Sequence, residues 1–278
     1  MFPQGLFERI QGLSFEEAGV PVLAVADVHS LAEEWGLSVR EVELAALEIK
    51  VMPRRYLRSL GTVGWEGQKR LLRSRVTVVG LGGLGGYVSE ALARMGVGEL
   101  VLVDGDVFVD HNLNRQILSS NDVLGRPKAE VAKERIAHIN PAVNVIPRSV
   151  YASAENLPSI LKGCQVVVDA LDNLPARLAL QDAAQSLGIP MVHGAIAGFV
   201  GQVLTIFPGE PGLRGIYGDK PPEKGVEVEQ GTPAATPMMV AAWQVQETLK
   251  ILLHKGEPLR GRMLLMDAEL GTAEFIEL

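Results

Sequence analysis

The chain has 278 residues, 47% hydrophobic and 21% charged, the balance of an ordinary soluble α/β protein with apolar content enough to bury a core. Its formal net charge of −7 excludes a nucleic-acid scaffold that relies on total charge, and its one cysteine, Cys164, excludes a disulfide framework. No apolar run reaches membrane-spanning length, and "MFPQGLFERIQGLSFEE" carries acids where a signal peptide needs a basic-then-apolar order, so a cytoplasmic protein without membrane or nucleic-acid partners is expected.

Residues 1–52 lack strand alternation. Leu31, Trp35, Leu37, Val42, Leu44, Leu47 and Ile49 recur at near-helical intervals, and Ser30 and Ser38 stand where helix caps stand. The spacing predicts an N-terminal helical appendage of at least two helices, followed from residue 53 by the main domain, 53–278. "VMPRRYLRSLGTVGWEGQKRLLRS" reads as a basic link ending in a short helix, Gln68 to Arg73.

From Arg75 apolar, β-branched runs alternate with helices: "RVTVVG", helix 84–95, "ELVLVDGD", helix 128–138, "NVIPRSV", helix near 156–161, "CQVVVDAL", helix 175–187 and "IPMVHGAIA". This order predicts a doubly wound, Rossmann-like, mostly parallel sheet covered on both faces. "FVGQVLTIF" reads as a strand with Gly201 at a bend. The Gly- and Pro-rich stretch 209–236 reads as a functional loop, 237–254 as a helix, and "GRMLLMDAELGTAEFIEL" as two antiparallel strands around Gly271.

Gly80, Gly82 and Gly85 satisfy GxGxxG between a strand and a helix, with Gly83 between them. The first permits a tight turn, the second lets backbone approach phosphate, and the third lets helix pack on strand; the helix N-terminus adds amide donors. Asp104 ends the next apolar run, where an acid hydrogen-bonds ribose, with Asp106 beside it. These features serve NAD enzymes and ATP users alike. Further along, Asn112, Arg115 and Gln116 follow the acid, Lys128 opens a helix, and Asp172 and Asn173 stand at a strand's carboxyl end, where open parallel sheets bind ligands. Hydride transfer leaves pyrophosphate intact and has little use for these cations. Cleavage of ATP between the α- and β-phosphates needs them to spread charge, and needs a carboxylate for Mg²⁺.

From about Arg55 to Leu278 the chain resembles the ThiF/MoeB/HesA family, bacterial relatives of ubiquitin-activating enzymes. The resemblance rests on "RYLRSL", "GWEGQKRLLRSRVTVVGLGGLGG", "GVGELVLVDGD", "NLNRQIL", "GRPKAEVAKERIAHINP", "DALDN", "GAIAGFVGQV" and "GRMLLMD". It implies that the glycine loop, Asp104 and neighbouring Asp106 and Asn173 bind ATP, that Arg115 and Lys128 bind phosphate, that Asp172 ligates Mg²⁺ and that Asn112 assists near the phosphates. It further implies a homodimer in which Arg58 reaches the partner's ATP, and adenylation of the C-terminal glycine of a ubiquitin-like sulfur carrier of the MoaD/ThiS kind, in molybdopterin, thiamin or a related pathway. Taken singly, Arg58 and Arg115 are better read as surface ion-pair partners, Lys128 can decorate a helix start and Asp172 can be a helix cap; their joint occurrence in order is what favours the site.

Two departures from the family stand out. Many relatives bind structural zinc through two Cys-x-x-C pairs; here Gly212 and Gly215 occupy the first, the second is missing, and no structural zinc is expected. Where some relatives carry a transfer cysteine, "VEVEQGTP" places Glu227. Cys164, among apolar neighbours, reads as a buried filler, and His193 as a hydrogen-bonded structural histidine. Adenylation needs no enzyme nucleophile, so the expected chemistry survives without the thiol. Adenylation of a small-molecule or RNA-borne carboxylate, and a non-catalytic carrier-binding role, remain alternatives.

Overall fold

The computed structural model describes residues 2–218 and 230–278. Its elements in chain order begin with α1 (Gln4–Leu13), β1 (Phe15–Glu17), β2 (Val20–Leu23), α2 (Val25–Trp35), α3 (Val39–Glu48), β3 (Met52–Pro53) and a 3₁₀ turn (Arg54–Ser59). Then come α4 (Leu60–Arg73), β4 (Arg75–Val79), α5 (Gly85–Arg94), β5 (Glu99–Val103), α6 (Lys128–Ile139), β6 (Asn144–Arg148), α7 (Leu157–Leu161), β7 (Val166–Asp169) and α8 (Leu174–Ser186). The chain closes with β8 (Met191–Ala197), β9 (Val200–Ile206), α9 (Gly212–Tyr217), α10 (Ala235–Leu253), β10 (Arg262–Asp267) and β11 (Thr272–Glu277).

The main sheet has eight strands in the order β11-β10-β9-β8-β7-β4-β5-β6. The five strands from β6 to β8 run parallel, and β9, β10 and β11 continue antiparallel. Alternation along the strands divides the core into two layers. Val76, Val78, Leu100, Leu102, Val166 and Val168 face the layer of α5, α6 and α10, while Val79, Val101, Val103 and Val167 face that of α7, α8 and α9. Both faces of the parallel strands are therefore covered, which is why they read as continuous apolar runs. Among the described residues no helix is long and apolar enough to cross a membrane.

The N-terminal region is richer than its helical periodicity implied. Three helices enclose a core of Leu6, Ile10, Val28, Leu31, Val42 and Ala45, and a three-stranded sheet, β1-β2-β3, joins them. The strands escaped the sequence because they are two to four residues long, too short for alternation to register. Ser38 caps α3 through a reciprocal capping box with Glu41. Ser30, read as a cap, instead lies inside α2, which begins at Val25. The basic link folds as α4 from Leu60, kinked at Gly64 where φ is 73°; that conformation is natural only to glycine.

Two further readings change. Gly201 sits in regular strand, not at a bend: a Cβ there would lie 2.3 Å from Val240 Cγ2, so the glycine admits α10 against the sheet. Part of the stretch 209–236 is helical, α9 seating Leu213 in the core and α10 starting at Ala235. Residues 219–229, including Glu227, lie outside the described residues.

Candidate active site

A cleft of about 370 Å³ opens at the carboxyl ends of β4, β5 and β7. Here the chain leaves the central strand toward neighbours on opposite sides, the topological switch at which open α/β sheets bind ligands. Gly80, Gly82, Gly83, Asp104, Asp106, Arg115, Lys128, Asp172 and Asn173 all line it. Residues separated by up to 93 positions, Gly80 to Asn173, thus meet in one concavity.

The glycines act by letting backbones approach. Gly80 has φ of 92°, and a Cβ there would lie 2.4 Å from the Ala170 carbonyl oxygen. At Gly85 it would lie 1.7 Å from the Gly80 carbonyl oxygen, so this glycine closes the loop onto α5 without itself lining the cleft. At Gly82 the neighbour would be Gln116, 3.5 Å away. The loop therefore presents main chain, at the N-terminus of α5, to whatever enters.

Acids and cations interlock on the β5 side. Asp104 accepts the amide of Leu81 on Oδ2 (2.7 Å) and that of Asp106 on Oδ1 (2.8 Å), tying strand end to glycine loop. Burial raises its pKa above the usual carboxylate range, against the pull of Lys128 and the two amides. Lys128, buried at the first turn of α6, donates to Asp106 Oδ2 (3.1 Å) and lies 3.9 Å from Asp104. Tyr151 donates its hydroxyl to Asp106 Oδ1 (2.8 Å). Burial works to raise the Asp106 carboxyl, yet the Tyr151 and Lys128 contacts outweigh it and hold the group below its ordinary value. Arg115 donates to the His111 carbonyl (2.8 Å) and to Asn114 Oδ1 (2.7 Å).

On the β7 side the helix cap resolves an ambiguity. Asn173, not Asp172, caps α8, its Oδ1 accepting the Ala176 amide at 2.9 Å. Asp172 is left exposed, touched by the Asn173 side-chain amide at 3.3 Å. Beneath them, buried Asp169 accepts the Leu171 amide on Oδ1 (3.0 Å) and holds His193 Nδ1 at 2.7 Å. Because the Gln202 amide nitrogen only donates, His193 Nε2 accepts from it at 3.2 Å and Nδ1 carries the proton toward Asp169. Burial lowers the His193 pKa despite Asp169. His193 is thus structural, as its sequence context implied.

Besides Gly85, two expected site residues lie outside the cleft lining. Asn112 is buried outside the cleft lining, its Oδ1 accepting the Val109 amide at 3.1 Å and shaping the turn before Arg115. Arg58 is exposed on the 3₁₀ turn and does not line its own chain's cleft. Other lining residues were absent from the expected site set, Tyr151, Arg177 and Gln116 among them. Tyr151 stacks on Gly105, where a Cβ would sit 2.7 Å from the ring. Arg177 donates to the Leu171 carbonyl (3.1 and 2.5 Å) and steadies the loop that carries Asp172. Gln116 lines the cleft while largely buried, and its Oε1 has no hydrogen-bond partner among the described residues. Only Gln116 had a sequence signal, its place beside Arg115. Cys164 is buried in the layer of α7 and α8, and burial pushes its thiol pKa up.

The ThiF family model matches residues 55–278. Over 217 residues the chain is 44% identical to the SAMP-activating enzyme E1 of Haloferax volcanii, spanning 77% of this chain and 80% of that protein. Over 219 residues it is 42% identical to the sulfur carrier protein adenylyltransferase of Thermus thermophilus, spanning 75% and 80%. Among solved structures it is similar to the E. coli tRNA N6-threonylcarbamoyladenosine dehydratase, with a TM-score of 0.63 and 26% identity over 72% of this chain and 95% of that one. Matched over most of its length, and carrying the glycine loop, cations and acids in one cleft, the chain belongs to the ThiF family.

Proposed function

We propose that the chain is a Mg-ATP-dependent adenylyltransferase that activates the C-terminal glycine carboxylate of a ubiquitin-like sulfur carrier and releases pyrophosphate. The observation that carries this reading is the capping of α8 by Asn173, which leaves Asp172 an exposed carboxylate in the same cleft as the glycine loop, Arg115 and Lys128. The names of the two similar enzymes, a sulfur carrier protein adenylyltransferase and a SAMP-activating enzyme, favour a carrier protein as acceptor.

The loop amides and the α5 N-terminus would cradle the phosphates, with Asp104 on the ribose side. Arg115 and Lys128 would spread the charge of the departing pyrophosphate. The acceptor carboxylate attacks the α-phosphorus: a carboxyl oxygen to phosphorus bond forms, the bond to the bridging oxygen breaks, and its electron pair leaves with pyrophosphate. The enzyme needs no nucleophile for this step, and Cys164 takes no part.

Mg²⁺ suits this donor set. Among the described residues no group of three or more His, Cys, Asp or Glu could hold a metal alone, while Mg²⁺ is commonly held by one or two carboxylates plus substrate phosphates. Asp172 would hold the ion, which when bound neutralises phosphate charge. Arg58, outside its own cleft, would serve the other subunit of a homodimer, and exposed Val109, Leu113 and Ile117 beside the site supply apolar surface for such a contact.

ATP–pyrophosphate exchange with a panel of small proteins ending in Gly-Gly tests the reading. Exchange that depends on one carrier is the expected result. Exchange only with a small acid or an acid-bearing RNA, the acceptor class that the tRNA-modifying structural relative brings forward, would replace the carrier. No exchange with any acceptor would reduce the chain to a binding role.

A further inference from the structure

Residues 2–54 precede the family match, yet one of them completes a buried polar ring around the turn that bears Arg58. Glu43 of α3 has no exposure. Tyr56 donates its hydroxyl to Glu43 Oε2 (2.9 Å), Asn140 Nδ2 donates to the Tyr56 hydroxyl oxygen (2.9 Å), Arg55 donates to Asn140 Oδ1 (2.7 Å), and Arg55 Nε lies 3.0 Å from Glu43 Oε1. Four side chains from α3, the 3₁₀ turn and the end of α6 close on themselves. Asn140 also donates to the Ala93 carbonyl at the end of α5 (2.9 Å), and Arg55 to the Ile139 carbonyl (3.3 Å).

The turn needs such support. A 3₁₀ segment of six residues exceeds the three or four that such turns usually sustain, because their hydrogen bonds are poorly aligned. Below the ring, Val22, Leu47 and Met52 of the N-terminal region pack with Tyr56, Leu72 and Ala142. Arg58, two positions past Tyr56, projects outward and has no polar partner among the described residues. Its placement is set by the turn alone.

We infer that the N-terminal region is a positioning element for the adenylation site, with Glu43 as the positioning residue that, through Tyr56 and Arg55, holds the turn from which Arg58 reaches the nucleotide. The inference rests on the adenylyltransferase reading, in which Arg58 acts on ATP. Buried polar groups held this closely favour one geometry, since displacing the Glu43 carboxylate leaves the Arg55 charge and the Tyr56 hydroxyl without their near partner.

The test uses the full-length protein with Glu43→Ala, which empties the centre of the ring, and Tyr56→Phe, which fills the same volume while removing its hydroxyl, so that one variant survives if the other fails to fold. In ATP–pyrophosphate exchange each should lose about tenfold in kcat with little change in KM for ATP, and Glu43→Gln, which keeps an acceptor for Tyr56, should recover most of the loss. In a double-mutant cycle, adding Glu43→Ala or Tyr56→Phe to Arg58→Ala should cost nothing further, because the interaction they support is already gone. Costs that multiply, or wild-type exchange in folded Glu43→Ala, would overturn the inference. Amide hydrogen exchange provides an arm that needs no turnover: amides of residues 55–60 should exchange about tenfold faster in either variant, with α5 and β4 unchanged. Unaltered protection of the turn sinks the positioning role. Should the wild type catalyse no exchange at all, the adenylation reading fails on its own and the hydrogen-exchange arm still decides whether the ring holds the turn.

Discussion

Asp172, in the loop before α8, and Glu43, inside α3, are carboxylates 129 positions apart that the protein treats in opposite ways. Asp172 is exposed and engaged by the adjoining Asn173 amide at 3.3 Å; Glu43 has no exposure and is met by Tyr56 and Arg55 within 3.0 Å. In the cleft, glycines bring main chain to the surface and the Asp172 carboxylate stays open to solvent. Around Glu43 buried side chains engage one another and hold a backbone turn. A binding site spends its rigidity on main chain and leaves charge free for the ligand, whereas a structural network spends its charge on itself.

The largest effect should come from breaking the cleft's free charge. Asp172→Asn is expected to lower kcat for pyrophosphate exchange by at least ~10³, about 4 kcal/mol of barrier, with ATP affinity changed only a few-fold. Full exchange with normal Mg²⁺ dependence would remove Asp172 from the chemistry. The same variant sharpens the role of the turn. Mixed with Arg58→Ala chains, it should recover about a quarter of wild-type activity, since random mixing makes about half the dimers heterodimers with one intact site of two. No recovery after verified subunit exchange would confine Arg58 to its own subunit or to no role.

Gly85→Ala attacks the cleft's rigid main chain. With the new Cβ 1.7 Å from the Gly80 carbonyl oxygen, the loop must open, at a cost of more than ~3 kcal/mol, read as a fall in Tm of about 10 °C. A variant as stable as wild type would show that the loop is looser than drawn.

Glu43→Gln probes the buried ring through pH. Burial, partly offset by Arg55 and Tyr56, raises the Glu43 pKa from 4.5 to about 7. The folded state therefore holds the proton more tightly, and this group's contribution to stability falls as pH rises from about 4.5 through 7. The glutamine variant lacks that loss, so relative to wild type it should gain up to ~3 kcal/mol between pH 4.5 and pH 8. Parallel pH profiles in urea denaturation would mean that Glu43 titrates normally. Smallest of all, Cys164→Ala should keep exchange near wild type while losing about 1 kcal/mol of stability. Loss of exchange in the folded variant would bring the thiol back into the mechanism.

Much of the main domain was legible because its signals are local. Helices expected at 84–95, 128–138 and 175–187 appear as Gly85–Arg94, Lys128–Ile139 and Leu174–Ser186. Fully buried parallel strands cannot be anything but apolar runs, and a glycine that must let a backbone pass has no substitute. The same locality explains the failures. Strands of two to four residues carry no period, Gly201 answers to a helix 39 positions away at Val240 rather than to its own strand, and Ser30 resembles a cap although nothing local ends there.

By itself the amino-acid sequence determined the order of strands and helices from β4 to β9, the glycine loop, and the acids and cations near strand ends, since each depends on neighbours a few residues away. Which of Asp172 and Asn173 caps α8, that Tyr151, Arg177 and Gln116 join the cleft, and that Glu43 reaches Asn140's ring were decided only by the tertiary structure. Those outcomes depend on distances between segments up to 97 positions apart, from Glu43 to Asn140, and no periodicity or motif along the chain records how far apart two such segments will lie once the core has closed.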